Sequence, residues 1–200
     1  MNRNLLIKLT LAGVGICLLV IVGSFFTDPP KMTDPDPAQM FNPSGNFTLT
    51  GTSGEPFQLQ DLRGKIVLLF FGYTSCPDAC PSTLAKLQRA FNLLSEEQIE
   101  QLRTVFVSVD PKRDNPKVLN EYVEYFGVNA IGLTGTKAEI DKVVKAYHAH
   151  YMVIPGQTSN WYSINHTTTV FLHDKKGKVR YRFLYEETPE QLAEAIRKYL

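Results

Sequence analysis

Very little net charge is left on this chain: 21 Lys and Arg offset 20 Asp and Glu, for a formal +1 with four His neutral. Without a basic surplus nothing is available to neutralise a row of phosphates, so nucleic-acid partners are excluded. Cysteine is scarce as well, at three in 200 residues, too few for a disulfide-stapled scaffold. A disordered composition is also missing, because 44% of residues are hydrophobic and 20% charged, near the globular average. No internal repeat is visible. What remains is a chain of single-domain size whose few cysteines matter by position.

From Leu9 to Thr27 no residue is charged, and the run LAGVGICLLVIVGSFF is almost wholly apolar. As a helix it would reach roughly 28 Å, enough to cross a hydrocarbon core. Arg3 and Lys8 precede it, whereas Asp28, Asp34 and Asp36 dominate the stretch just after it. Positive residues stay cytoplasmic, so the chain beyond about residue 30 is expected on the exported side, the periplasmic face in a bacterium. No small-residue cleavage site comes after the run, and Ile16 before Cys17 is bulky where lipid attachment wants a small residue. The expectation is an uncleaved single-pass anchor at 9–27 after a cytoplasmic 1–8, with Cys17 a plain apolar residue in it. Residues 28–45 hold five prolines and read as an extended tether. The exported domain is then 46–200.

Within that domain strand and helix signals alternate. FTLT and PFQLQ around the turn TGTSGE suggest a hairpin. IVLLFF (66–71) and TVFVSV (104–109) are continuous apolar runs of strand length, as in a sheet buried on both faces. A helix is expected from about Pro81, with Leu84, Leu87, Phe91 and Leu94 along one side. Asn115-Pro116 is an N-cap with proline at the first helical position, and the helix buries Val118, Leu119, Tyr122, Val123 and Phe126 until Gly127 stops it. IGL (131–133) is a short strand. Thr136 with Glu139 makes a capping box for a helix carrying Ile140, Val143, Val144 and Tyr147. A loop through Pro155-Gly156 leads to TTTVFLH (167–173), whose turn DKKGK joins it to VRYRFL (179–184) as an antiparallel hairpin. Thr188-Pro189 opens a last helix with Leu192, Ile196 and Tyr199. This order predicts an α/β, thioredoxin-like mixed sheet with helices on both faces.

The most informative segment is FFGYTSCPDACPSTL (70–84), which sets Cys76 and Cys80 where a buried strand gives way to a helix N-terminus. Free N–H groups and the helix dipole stabilise a thiolate there. At i and i+4 of a helical turn both sulfurs would project on one face. The spacing C-x-x-x-C departs from the C-x-x-C of dithiol oxidoreductases, and two thiolates favour a soft ion such as Cu(I). A plain disulfide is the bland alternative, although a loop of three intervening residues removes little chain entropy. Among the histidines, His148 and His150 read as polar helix-end residues and His173 as a solvated residue of the hairpin turn. His166 stands at the entrance of the TTTVF strand, where an imidazole would face the thiolates; a satisfied loop histidine is the competing reading.

These residues resemble the SCO/SenC family of membrane-anchored copper-binding assembly factors. The resemblance is carried by GYTSCPDACPSTL, VSVDPKRDNP (107–116), IGLTGTKAEI (131–140) and NHTTTVFLHDKKGKV, in the family's order. It implies that Cys76, Cys80 and His166 are copper ligands for Cu(I) or Cu(II). Asp78 falls between the cysteines as in the family, and Asp110 and Asp114 match its acidic loop, read as supporting or turn-capping groups because carboxylates suit harder ions. Asn165 departs from the pattern, since the family's histidine commonly comes after Asp.

The resemblance implies a copper chaperone that assembles the dinuclear copper site of cytochrome c oxidase, with that subunit or another copper-accepting client as partner. The rival is a thiol-disulfide oxidoreductase, in which Cys76 and Cys80 are a redox-active pair that reduces client cysteines. Either reading calls for a thiol reductant in the exported compartment. A thiol peroxidase would need one low-pKa cysteine beside an activating arginine, and the pair argues against it.

Overall fold

The computed structural model describes residues 46–156 and 161–200. The expected cytoplasmic segment 1–8, anchor 9–27 and tether 28–45 lie outside them. Among the described residues no helix is long and apolar enough to cross a membrane.

The chain opens with a hairpin of β1 (Thr48–Gly51) and β2 (Pro56–Gln58), then a 3-10 turn at Leu59–Leu62. Strand β3 (Ile66–Gly72) is buried at every position, as its unbroken apolar run requires. It leads into α1 (Ala79–Phe91), which starts two residues earlier than expected and ends before Leu94. A short α2 (Glu96–Glu100) comes next, capped by Ser95 and Gln98, then β4 (Leu102–Ser108). Helix α3 (Pro116–Phe126) begins at the Asn115 cap, whose Oδ1 accepts the Val118 N–H, and stops at Gly127 in the left-handed region (φ 60°). Leu119 and Val123 are buried in it, while Val118, Tyr122 and Phe126 are half-buried. Next come β5 (Ala130–Thr134) and α4 (Lys137–Ala146), opened by the Thr136/Glu139 capping box.

Residues expected as a loop around Pro155-Gly156 instead form β6 (Tyr151–Pro155) and β7 (Tyr162–His166), an antiparallel pair in a sheet of its own. The β-favouring run Tyr-Met-Val-Ile drives this pairing, and its weak burial hides the alternation. Strands β8 (Val170–His173) and β9 (Val179–Phe183) make the expected hairpin, and α5 (Pro189–Tyr199) closes the chain from its Thr188 cap.

The main sheet runs β2-β1-β5-β4-β3-β8-β9, with β3/β4 and β4/β5 parallel and the other pairs antiparallel. Phe70 and Phe106 are register partners and so share a face. That face meets Tyr122 of α3, and Gly72, two residues beyond Phe70, meets Cys80 of α1. Phe71 points oppositely and packs with Phe171 against Tyr147, the residue that ends α4. Helices thus cover both faces of a thioredoxin-like mixed sheet. The C-terminal ends of β3 and β4 come together, and the cysteine turn leaves from that edge.

Candidate metal centre

Cys76 sits in the turn between β3 and α1 rather than on the helix itself. Its N–H donates to the Tyr73 carbonyl (3.2 Å), which folds the turn back on the strand end. Cys80 is the second residue of α1 and fully buried. Asp78, the residue before the helix, makes no side-chain cap to the backbone; it is exposed and its Oδ1 accepts from Ser82 Oγ (3.1 Å). The orphan N–H of Cys80 donates to Cys76 Sγ instead (3.4 Å). A sulfur does the work of an N-cap oxygen, and a thiolate is the form that accepts best at a helix N-terminus.

His166 ends β7. Its Nε2 lies 3.3 Å from Cys80 Sγ and 4.0 Å from Cys76 Sγ, and its Nδ1 lies 3.0 Å from the Thr167 carbonyl. A carbonyl only accepts, so Nδ1 carries the proton and the Nε2 lone pair faces the sulfurs. The ring stands edge-on to Phe70 and Tyr73 at 6.1 and 5.7 Å between centroids, which fixes its plane. Among the described residues, Cys76, Cys80 and His166 are the one group of metal-donor side chains, with ligand atoms within 4.8 Å of one another. Bonds of about 2.0–2.3 Å place three donors around an ion roughly 3.5–4 Å apart, so the group fits a three-coordinate, thiophilic ion.

The two sulfurs are electrostatically unequal. The Cys80 side chain hydrogen-bonds Cys76 and, with the N–H groups of Cys80 and Asp78, pulls the Cys76 thiol well below its ordinary range against its own burial. Burial pushes Cys80 far up, and the neighbouring Cys76 and Asp114 add to it. In the metal-free pair Cys76 carries the charge and Cys80 keeps its proton.

Two further residues make this arrangement possible, and sequence reasoning alone singles out neither. A side chain on Gly72 would meet Cys80 Sγ and Phe106 at 2.7 Å, so only glycine lets that sulfur approach the strand end. Tyr73 is buried, and its hydroxyl accepts the Ile164 N–H of β7 (3.2 Å). Gly72 and Tyr73 adjoin the cysteine turn, which is the signal that points to them.

Asp114 is wholly buried and accepts from Thr74 N–H (2.9 Å), Thr74 Oγ1 (2.6 Å) and Ser108 Oγ (2.6 Å). Burial still raises its carboxyl above the usual range. Asp110 is buried beside Arg113 and accepts from the Tyr162 hydroxyl (2.7 Å). Both acids brace loops, as expected.

His173 corrects an expectation. Rather than a solvated turn residue, it is 2% exposed, with Nε2 3.2 Å from the Tyr147 hydroxyl. Its place in β8 under α4, not its nearness to the turn, decides its burial. His148 and His150 are exposed as expected. Asn165 is exposed and pairs with Met152, and alternation along β7 turns it away from the face that carries His166.

The sequence model described as SCO1/SenC matches residues 35–200. Protein SenC of Rhodobacter capsulatus is 37% identical over 153 residues, covering 76% of this chain and 68% of that protein. The SCO2-like protein of Rickettsia felis is 35% identical over 154 residues, covering 76% and 75%. Among solved structures, Bradyrhizobium japonicum ScoI with copper bound superposes with a TM-score of 0.71 at 34% identity, covering 78% of this chain and 98% of that one.

Proposed function

The chain belongs to the SCO1/SenC family, and from that premise we propose that it binds one copper ion through Cys76, Cys80 and His166 and passes it to the dinuclear copper site of cytochrome c oxidase. The observation that carries the proposal is the convergence, within 4.8 Å, of two sulfurs and an imidazole lone pair that faces them. Two soft sulfurs hold Cu(I), and the imidazole extends the set to Cu(II). The similarity to a copper-bound ScoI supports the choice of ion.

Transfer is a ligand exchange. Cys76 is partly exposed, whereas Cys80 is sealed under β3. An incoming donor therefore displaces Cys76 first, and Cys80 and His166 release last. Residues 9–27 hold the domain at the membrane on the exported side, a reading supported by the uncharged run behind Arg3 and Lys8.

The unequal cysteines favour a second reading, thiol-disulfide reduction. Here the Cys76 thiolate attacks a client disulfide and forms a mixed disulfide. Cys80 then displaces the client as a dithiol, leaving Cys76–Cys80 oxidised until a thiol reductant restores it. His166→Ala separates the two, because it removes a copper donor and leaves both thiols. In a host lacking its own family member, the copper reading predicts that His166→Ala fails to restore oxidase copper and activity. Full restoration by that variant would transfer the function to the thiols.

A further inference from the structure

Two separate pieces of chain carry the three donors. The cysteines leave the end of β3, whereas His166 ends a strand whose sheet shares no ladder with the main one. Backbone pairing therefore leaves their spacing undetermined, and side chains must set it.

The segment 109–115, between β4 and α3, touches both pieces. On one side Asp114 takes two hydrogen bonds from Thr74, two residues ahead of Cys76. On the other, the Arg113 guanidinium lies 3.8 Å from the centre of the Tyr162 ring, and Nη1 donates to the Tyr162 carbonyl (3.0 Å). Asp110 pairs with that guanidinium and accepts from the Tyr162 hydroxyl. The segment is itself tied, with Asp114 N–H on the Asp110 carbonyl (2.9 Å) and Asp110 N–H on Ser108 Oγ (3.0 Å).

Alternation puts Tyr162, Ile164 and His166 on one face of β7. Tyr162 meets Arg113 and Asp110, Ile164 is buried, and His166 meets the sulfurs. The row reads anchor, core, ligand. Charge-assisted bonds and a stacked guanidinium hold the anchor more firmly than apolar contact would.

We propose that 109–115 is a clip that sets the distance between His166 and the cysteine pair, with Arg113 as the positioning residue that acts through Tyr162 and β7. This rests on the copper reading above, but the clip also has a consequence in the metal-free protein. The test uses the full-length chain with Arg113→Met, Tyr162→Phe, His166→Ala and the double variant Arg113→Met/His166→Ala.

With Cu(I) and Cu(II) as probes, Arg113→Met should weaken binding about 10–100-fold, the usual effect of losing a group that orients a ligand. The imidazole nitrogen signal in the Cu(II) EPR spectrum should fade with it. On the His166→Ala background the same substitution should add almost nothing, since both act through one ligand. Full additivity would mean that Arg113 acts elsewhere, and would overturn the clip.

Without metal, amide exchange at Ile164 and His166 should quicken in Arg113→Met and Tyr162→Phe while β3 stays protected. Unchanged exchange at both positions would also overturn it. A wild-type chain that took up no copper would sink the copper reading, with the exchange data still deciding the clip. Tyr162→Phe removes a single hydroxyl and carries the test should Arg113→Met fail to fold.

Discussion

Substituting Gly72 by alanine tests how tightly the strand end and the metal centre are packed together. The new Cβ would stand 2.7 Å from Cys80 Sγ, 2.7 Å from Phe106 Cε2 and 3.0 Å from Phe106 Cζ. Ordinary contact between such atoms is about 3.5–4.0 Å, so something must retreat by about 1 Å. Strand β3 is held by ladders to β4 and β8 on its two sides. Phe106 is fully buried, with Phe70 and Tyr122 at 5.8 and 5.5 Å between ring centroids. Cys80 is what yields, and His166 Nε2 is only 3.3 Å from its sulfur. Overpacking of this kind costs about 1–3 kcal/mol. Copper affinity should fall about 10–100-fold, the range seen when a ligand loses its orientation. Urea denaturation and competitive copper titration read the two effects separately. Leu87→Ala, two turns further along α1 and buried, is the comparison: it should cost about 2–5 kcal/mol with no matching loss of affinity in the folded fraction. Wild-type stability together with wild-type affinity in Gly72→Ala would refute this packing.

Burial holds His173 down at about 4 from an ordinary 6.5, so between those values the unfolded chain binds the extra proton and the folded chain does not. Stability is therefore intact above pH 6.5 and lost as pH falls toward 4, by up to about 3 kcal/mol. Urea midpoints across that range should show this slope in the wild type and a flatter one in His173→Gln; equal slopes would contradict it. Thr136→Ala removes the hydroxyl that accepts the Glu139 N–H, and should cost about 1 kcal/mol in a denaturant melt with copper binding unchanged. In a bacterial host, protease added to spheroplasts should digest residues 46–200, and the mature chain should retain residues 9–27. Protection of the domain, or a mature N-terminus beyond residue 27, would reject the anchored topology.

The elements legible in the sequence are those whose signal is local. The run Ile66–Phe71 declares a doubly buried strand, and the caps Asn115, Thr136 and Thr188 mark helix starts by short-range chemistry. Cys76 and Cys80 are legible because strand, turn and helix succeed one another within a few residues. His166 is found through its place before β8 and through the family resemblance, although it closes β7 rather than opening the next strand. The hairpin of β6 and β7 escapes notice because neither of its faces is fully buried and Pro155-Gly156 imitates a loop. Helix α2 has five residues, too few for a period, although its Ser95/Gln98 box is readable. His173 and Tyr147 are 26 residues apart, and Arg113 and Tyr162 49 apart. No local pattern announces either pair, since only the folded sheet brings them together.

That Cys76, Cys80 and His166 together form one copper site is tested most directly by anaerobic titration of the reduced full-length chain. Cu(I) and Cu(II) are each titrated into wild type, Cys76→Ser, Cys80→Ser, His166→Ala and His173→Ala. One ion per wild-type chain is expected, with loss of tight binding in either serine variant. His166→Ala should weaken binding, most visibly for Cu(II), while the metal affinity of folded His173→Ala stays unchanged. Equal binding by His166→Ala and the wild type, or a stoichiometric site that survives loss of both cysteines, would contradict the assignment.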